Sequence, residues 1–311
     1  MPDRVAEILR FVDGWGRRVY RVRWSLRDTI TYALATGADA RNDRALVWEA
    51  APGFAALPTF ATRFAHDALT DLAAGTFPAG LPSFARATRV RLLRPLLPEC
   101  DDARASATLG VKERSPGRLV LTLDVETRVA GEPIARSSLD VHFRIAGGIA
   151  GEKGAERRPP AAATGTESGG RGGGRTVTVS ENVRPYQAAV FRTLLGLTAD
   201  GRVQDAMHID PVSARELGLS APALPGEVTL GIVARRAAAS LHHGAGIRAL
   251  VEAEMSYLSP VSDRDRLLIE FDAARDGSVR ARVTNEKGRV AVRGTLRFQT
   301  GGTPSDDGEA S

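Results

Sequence analysis

The sequence predicts an α+β fold built by duplication, and three observations lead there. Each half holds a helical segment followed by several long runs in which apolar and charged residues alternate. Short turn signals join successive runs, as antiparallel hairpins require, and no βαβ alternation occurs. A segment rich in Gly, Pro, Ala and Ser, from Gly151 to Arg175, divides the two halves.

In the first half, "LPTFATRFAHDALTDLAAG" reads as helix. Pro58 suits a helix entrance, and Phe60, Phe64, Ala68 and Leu72 fall on one face. Four strand-like runs follow: "RATRVRLLRPL", "ARASATLGVKER", "GRLVLTLDVETRV" and "SSLDVHFRIA". Ser115-Pro116-Gly117 marks a turn between the second and third. In the second half the Pro225-Gly226 turn opens a helix over 228–241. "RALVEAEMSYLSPV", "DRLLIEFDAARDGSVRARVTNEKG" and "RVAVRGTLRFQ" come next, with tight hairpins at Asp276-Gly277 and Glu286-Lys287-Gly288. The expected organisation is a unit over 1–150, a flexible linker over 151–175, a second unit over 176–300 and a disordered tail over 301–311.

Composition narrows the function. Of 311 residues, 43% are hydrophobic and 25% charged, enough apolar material for a large core. One cysteine, Cys100, excludes an internal disulfide and fits a reducing compartment. No run is apolar enough to cross a bilayer and no N-terminal stretch has an apolar signal core, so the expected location is the cytoplasm, with no membrane partner. The net charge of +5 directs thought to anionic partners. The arginines are nevertheless scattered among acids and lack interleaved aromatics, so nucleic acid is not expected. His242-His243 looks like a metal pair on paper, yet no Cys, His or acid stands nearby at ligand spacing, and no metal is expected. Arg235-Arg236 lie toward the end of the second helix and read as structural.

Particular segments resemble a known family. "RDTITYALATGA" (Arg27 to Ala38) and "LVWEAAPGFAALPTFA" (Leu46 to Ala61) are similar to the opening of MaoC-like, (R)-specific enoyl-CoA hydratase 2 and dehydratase proteins. "HIDPVSARELGLSAPALPG" followed by "GIVARRA" is similar to the segment that carries that family's histidine and enters its central helix. "YQAAVFR" (Tyr186 to Arg192) resembles the helix that precedes it. The resemblance implies a double hotdog, in which each antiparallel sheet wraps one helix. It further implies an acyl thioester substrate, on coenzyme A or acyl carrier protein, no cofactor, and a homodimer. The N-terminal unit would shape the acyl pocket and the C-terminal unit would hold the site.

Hydration of a 2-enoyl thioester needs a base to activate water, an acid to protonate the α-carbon, and donors for the charge on the thioester oxygen. The resemblance places His208 as acid/base and the Gly226 backbone N–H as oxyanion donor. The family signature Gly-Asp-x-Asn-Pro-x-His is not intact here. Val203 stands at its Asp, Asp205 at its Asn, Ala206 at its Pro, and Pro225 at the histidine of its His-Gly pair. Several extra residues also precede His208. Asp205 and Asp200 are the two candidates to replace the carboxylate. Three readings therefore stay open: a hydro-lyase; a relative recruited to another proton transfer or cyclisation in natural-product biosynthesis; and an inactive partner subunit.

Overall fold

The computed structural model describes residues 2–76, 83–115, 117–144, 175–195, 206–241 and 246–299. The linker expected over 151–174, the tail over 301–311, Pro116 and the His242-His243 pair lie outside the described residues.

The chain begins with helix α1 (Pro2–Asp13), strand β1 (Arg17–Trp24), helix α2 (Leu26–Ala35) and a short helix α3 (Arg44–Val47). Ser25 caps α2 in a reciprocal capping box with Asp28, which satisfies two first-turn amides. The expected helix after Leu57 forms as a 3-10 turn, Pro58–Ala65, that continues into α4 (His66–Thr76). Its forecast apolar face is the buried one: Phe60, Phe64, Ala68 and Leu72 are each at most 1% exposed. Strands β2 (Ser83–Leu92), β3 (Cys100–Ser115), β4 (Arg118–Val129) and β5 (Glu132–Arg144) complete this half.

The second half follows the same order. Strand β6 (Arg175–Asn182) leads to α5 (Gln187–Leu195), a 3-10 turn at Ala206–His208 and α6 (Pro211–Glu216). The central helix α7 (Gly226–Leu241) is followed by β7 (Leu250–Tyr257), β8 (Arg266–Ala273), β9 (Ser278–Thr284) and β10 (Val290–Phe298). Gly277 and Gly288 take φ of 79° and 70°, the left-handed conformation that these two hairpin turns demand.

All ten strands join one antiparallel sheet in the order β1-β3-β4-β5-β2-β7-β10-β9-β8-β6. The order is a palindrome of the two halves, with β2 and β7 paired at the centre, Val90 opposite Ala253 and Arg89 opposite Glu254. A sheet with one wet face reads apolar-in, polar-out. In β9, Val279, Ala281 and Val283 point into the core, while Arg280 and Arg282 pair across the outer face with Asp272 and Glu270. Such exposed pairs contribute little, about 0.2–1 kcal/mol each. The stability comes from the inner face, where the two central helices lie. Trp24, Tyr32, Phe60 and Phe64 stack there at centroid separations of 4.6–6.4 Å, and Phe191 of α5 joins the same group at 6.1 Å from Tyr32. This mixed architecture of two sheet-wrapped helices is a double hotdog.

The sequence reading did not assign β1 or β6. Both are the outermost strands of the sheet and precede the central helix of their half. β6 holds only exposed and half-buried residues, and β1 buries only Val22 and Trp24 at its end, so the apolar signal is thin.

Polar contacts also tie the halves together. Arg235, which lies inside α7 and not at its end, donates to Asp43 Oδ2 at 2.9 Å, Glu181 Oε1 at 2.8 Å and the Thr36 carbonyl at 3.2 Å. Gln187, fully buried at the start of α5, donates to the Ala35 carbonyl at 2.8 Å.

Candidate active site

Of the sequence-predicted residues, Gly226 opens α7 and His208 lies on the segment that docks just before it. Residues 222–225 are buried and stitched on both sides. The Leu224 amide donates to the Val261 carbonyl at 2.7 Å, and the Ala223 amide donates to the Met207 carbonyl at 3.1 Å. The latter contact docks the Ala206–His208 turn against the entrance of α7. The His208 ring is half-buried and its Nδ1 lies 2.6 Å from the Ala223 carbonyl oxygen. A carbonyl oxygen only accepts, so the Nδ1–H donates to it, and this bond fixes the orientation of the imidazole.

Asp210 holds this histidine's segment from the other side. It is the N-cap of α6, accepting from the Val212 amide at 3.1 Å, the Ser213 amide at 2.9 Å and the Ser213 hydroxyl at 2.6 Å. These donors, the Ser213 hydroxyl first, lower its pKa below the ordinary aspartate value. Asp200 and Asp205, the two carboxylates named for the histidine's partner, lie outside the described residues.

Gly226 opens α7. The amides of a helix's first turn have no intrahelical acceptor and sit at the positive end of its dipole, which suits them to bind a developing oxyanion. A methyl group built at Gly226 would stand 2.7 Å from Tyr257 Cζ and 3.0 Å from its hydroxyl oxygen. The glycine is thus also a packing requirement: the Tyr257 ring fills the space a Cβ would need.

The sequence reading missed the hydroxyl groups around this turn. Tyr32 of α2, fully buried, donates to the Glu227 carbonyl at 3.0 Å. Burial, with the Glu227 charge adding to it, drives its pKa far up. Tyr257 of β7 is raised well above the ordinary tyrosine value by burial first and by the Glu227 charge second. The Thr88 hydroxyl of β2 is near enough to oppose that shift slightly without completing a hydrogen bond. Thr59, Thr88 and Tyr257 each hold a buried hydroxyl with no hydrogen-bond partner. Glu227 places a carboxylate directly after Gly226. A weak signal existed in the sequence: threonine and tyrosine in otherwise apolar inward positions of β2 and β7. Nothing short of the strand register could bring them to one helix end.

Among the described residues no group of three or more His, Cys, Asp or Glu could hold a metal ion. None of the described helices is long and apolar enough to cross a membrane.

No protein-family model matches this sequence, and no curated protein matches it. Solved structures do. The chain is similar to a MaoC-like dehydratase from Phytophthora capsici, with a TM-score of 0.71 at 20% identity over 96% of this chain and 99% of that one. It is similar to full-length peroxisomal multifunctional enzyme type 2 from Drosophila melanogaster, TM-score 0.68 at 18% identity; 96% of this chain covers 52% of the fly protein, so it spans about half that enzyme's length. A Mycobacterium tuberculosis protein described as having a double hotdog fold matches with a TM-score of 0.54 at 17% identity, over 90% of this chain and 94% of that one. At these identities the likeness establishes the fold.

Proposed function

We propose that this protein is a hydro-lyase that adds water to a 2-enoyl thioester with (R) specificity, or eliminates it from the 3-hydroxyacyl thioester, the acyl group being carried on coenzyme A or acyl carrier protein. One observation supports this above the others. His208 is held through Nδ1 on the carbonyl of Ala223, three residues before the glycine that opens the central helix. An imidazole and the first-turn amides of α7, at the positive end of the helix dipole, then lie at the same helix entrance. The structural likeness to a MaoC-like dehydratase and to a multifunctional enzyme supports the same reading.

In this reading Nε2 of His208 takes a proton from water as the water oxygen adds to C3. The displaced electron pair moves through C2 onto the thioester oxygen, which the Gly226 amide receives. The proton then passes to C2, leaving a neutral 3-hydroxyacyl thioester and an unchanged enzyme. Asp205 or Asp200 is the proposed partner of the imidazole. Electrostatic reception at the helix end needs no cofactor. The N-terminal unit, through Tyr32, Thr59 and Thr88, would line the acyl side of the site. A cytoplasmic homodimer completes the proposal.

The test is purified full-length protein with crotonyl-CoA and longer 2-enoyl-CoAs, following loss of enoyl absorbance and the configuration of the product. Turnover that falls at least about 10²-fold in His208→Ala is expected, the scale of a lost general acid/base. Turnover untouched by that substitution removes the assignment. Binding of acyl-CoA without any hydration would transfer the site to the second reading, a different proton transfer on the same thioester.

A further inference from the structure

We propose that Tyr257 is a catalytic residue, its hydroxyl being the second donor, beside the Gly226 amide, to the thioester oxygen. This rests on the thioester reading of the site and extends it to a residue outside the resemblance.

The geometry comes first. The Tyr257 hydroxyl oxygen stands 3.0 Å from the position a Gly226 Cβ would take, so it lies against the opening peptide of α7. It is buried and donates to nothing. A buried hydroxyl without a partner is costly, and folded proteins rarely keep one without a ligand or a catalytic reason. Two more lie on elements packed against α7: Thr88, 3% exposed on the paired strand β2 and close to Tyr257, and Thr59, fully buried in the turn before α4 and close to Tyr32. They come from both halves of the chain, so no single local packing defect produces the cluster. Phenylalanine would fill the same space next to Gly226 with no unmet bond.

The chemistry follows from the charge nearby. Glu227 and burial both oppose ionisation of the phenol, so it stays protonated across the working range and always has its hydrogen to offer. In the addition step the thioester C=O becomes an enolate C–O⁻ as the water oxygen bonds to C3. Tyr257 stabilises that oxygen by hydrogen bonding and keeps its own proton, while the proton released from water still travels through His208 to C2. The phenol therefore needs no regeneration.

The experiment pairs kinetics with a ligand that cannot react. Tyr257→Phe in the full chain is expected to lower kcat by about 10²-fold to 10³-fold, the scale of one lost oxyanion donor, with KM changed far less. Hexanoyl-CoA labelled with ¹³C at the thioester carbonyl is then bound to wild type and variant, and its carbonyl stretch is read by isotope-edited infrared spectroscopy. Wild type lowers the stretch relative to free ligand, and Tyr257→Phe relieves part of that shift. If His208→Ala abolishes hydration while Tyr257→Phe leaves kcat and the carbonyl band unchanged, the role of Tyr257 falls and the thioester site stands. If wild type neither binds hexanoyl-CoA nor hydrates any 2-enoyl-CoA, the site reading falls and this role with it.

Discussion

Replacing Arg235 by methionine asks what its buried ion pairs contribute, one to Asp43 of the first half and one to Glu181 of its own. The arginine side chain is 4% exposed, Asp43 7% and Glu181 14%. Methionine preserves much of the apolar stem but strands both carboxylates and leaves the Thr36 carbonyl without this donor. Removing one partner of a buried pair costs about 3–5 kcal/mol, because a charge remains where water cannot reach it. Glu181 retains Arg236 at 3.3 Å, which places the expected loss near the lower end, about 3 kcal/mol. Chemical denaturation of the full chain reads this as a lower midpoint at constant slope. Adding Asp43→Asn and Glu181→Gln neutralises the stranded groups and is expected to recover at least half of the loss. A single-variant loss under about 1 kcal/mol, or a triple variant no better than the single, would refute the reasoning.

Three further outcomes are expected. Tyr257→Phe without ligand should melt at or above wild type, since deleting a buried hydroxyl with no partner gains about 1 kcal/mol; a clear drop in Tm would mean the hydroxyl is satisfied after all. A Cβ at Gly231 would sit 2.3 Å from Thr36 Cγ2, so Gly231→Ala should cost about 1–3 kcal/mol, and Thr36→Ser, which removes that methyl, should return most of it; an additive double variant contradicts this contact. Burial raises the pKa of Asp265 despite the bond from the Ser262 amide at 2.8 Å. The folded protein therefore holds that proton more tightly than the unfolded chain. Its stabilising contribution is complete below the ordinary aspartate value and is lost as pH rises through the folded one. Asp265→Asn should raise Tm at neutral pH and lose the advantage in acid; the same gain at about pH 4 and pH 7 would disprove it.

The helix-then-strands plan of each half was legible because long strands with one wet face write their alternation directly into sequence. The Phe60, Phe64, Ala68 and Leu72 stripe was legible for the same kind of reason, although its first part winds as 3-10 helix. Strands β1 and β6 escaped because these edge strands bury little: β6 has no buried position and β1 only Val22 and Trp24. At the site, His208 and Gly226 were reached through resemblance, and the bond of His208 to the Ala223 carbonyl just before Gly226 is a property of folding that no spacing encodes. Tyr257, Thr88 and Thr59 are isolated hydroxyls in three distant segments. Only the pairing of β2 with β7 and the packing of both central helices against it collect them.

That central pairing carries a consequence for how such a molecule could arise and be taken apart. Two free copies of one half would meet across a true twofold axis and build every pocket twice. Joined in one chain, the copies are released from that obligation, and each end of the seam can change alone: here an imidazole at one entrance, phenylalanines at the other. A fragment ending after β5 would carry β2 as a naked border, with Thr88 looking onto solvent. Mixing it with the complementary fragment should restore the missing neighbour more effectively than either piece restores itself.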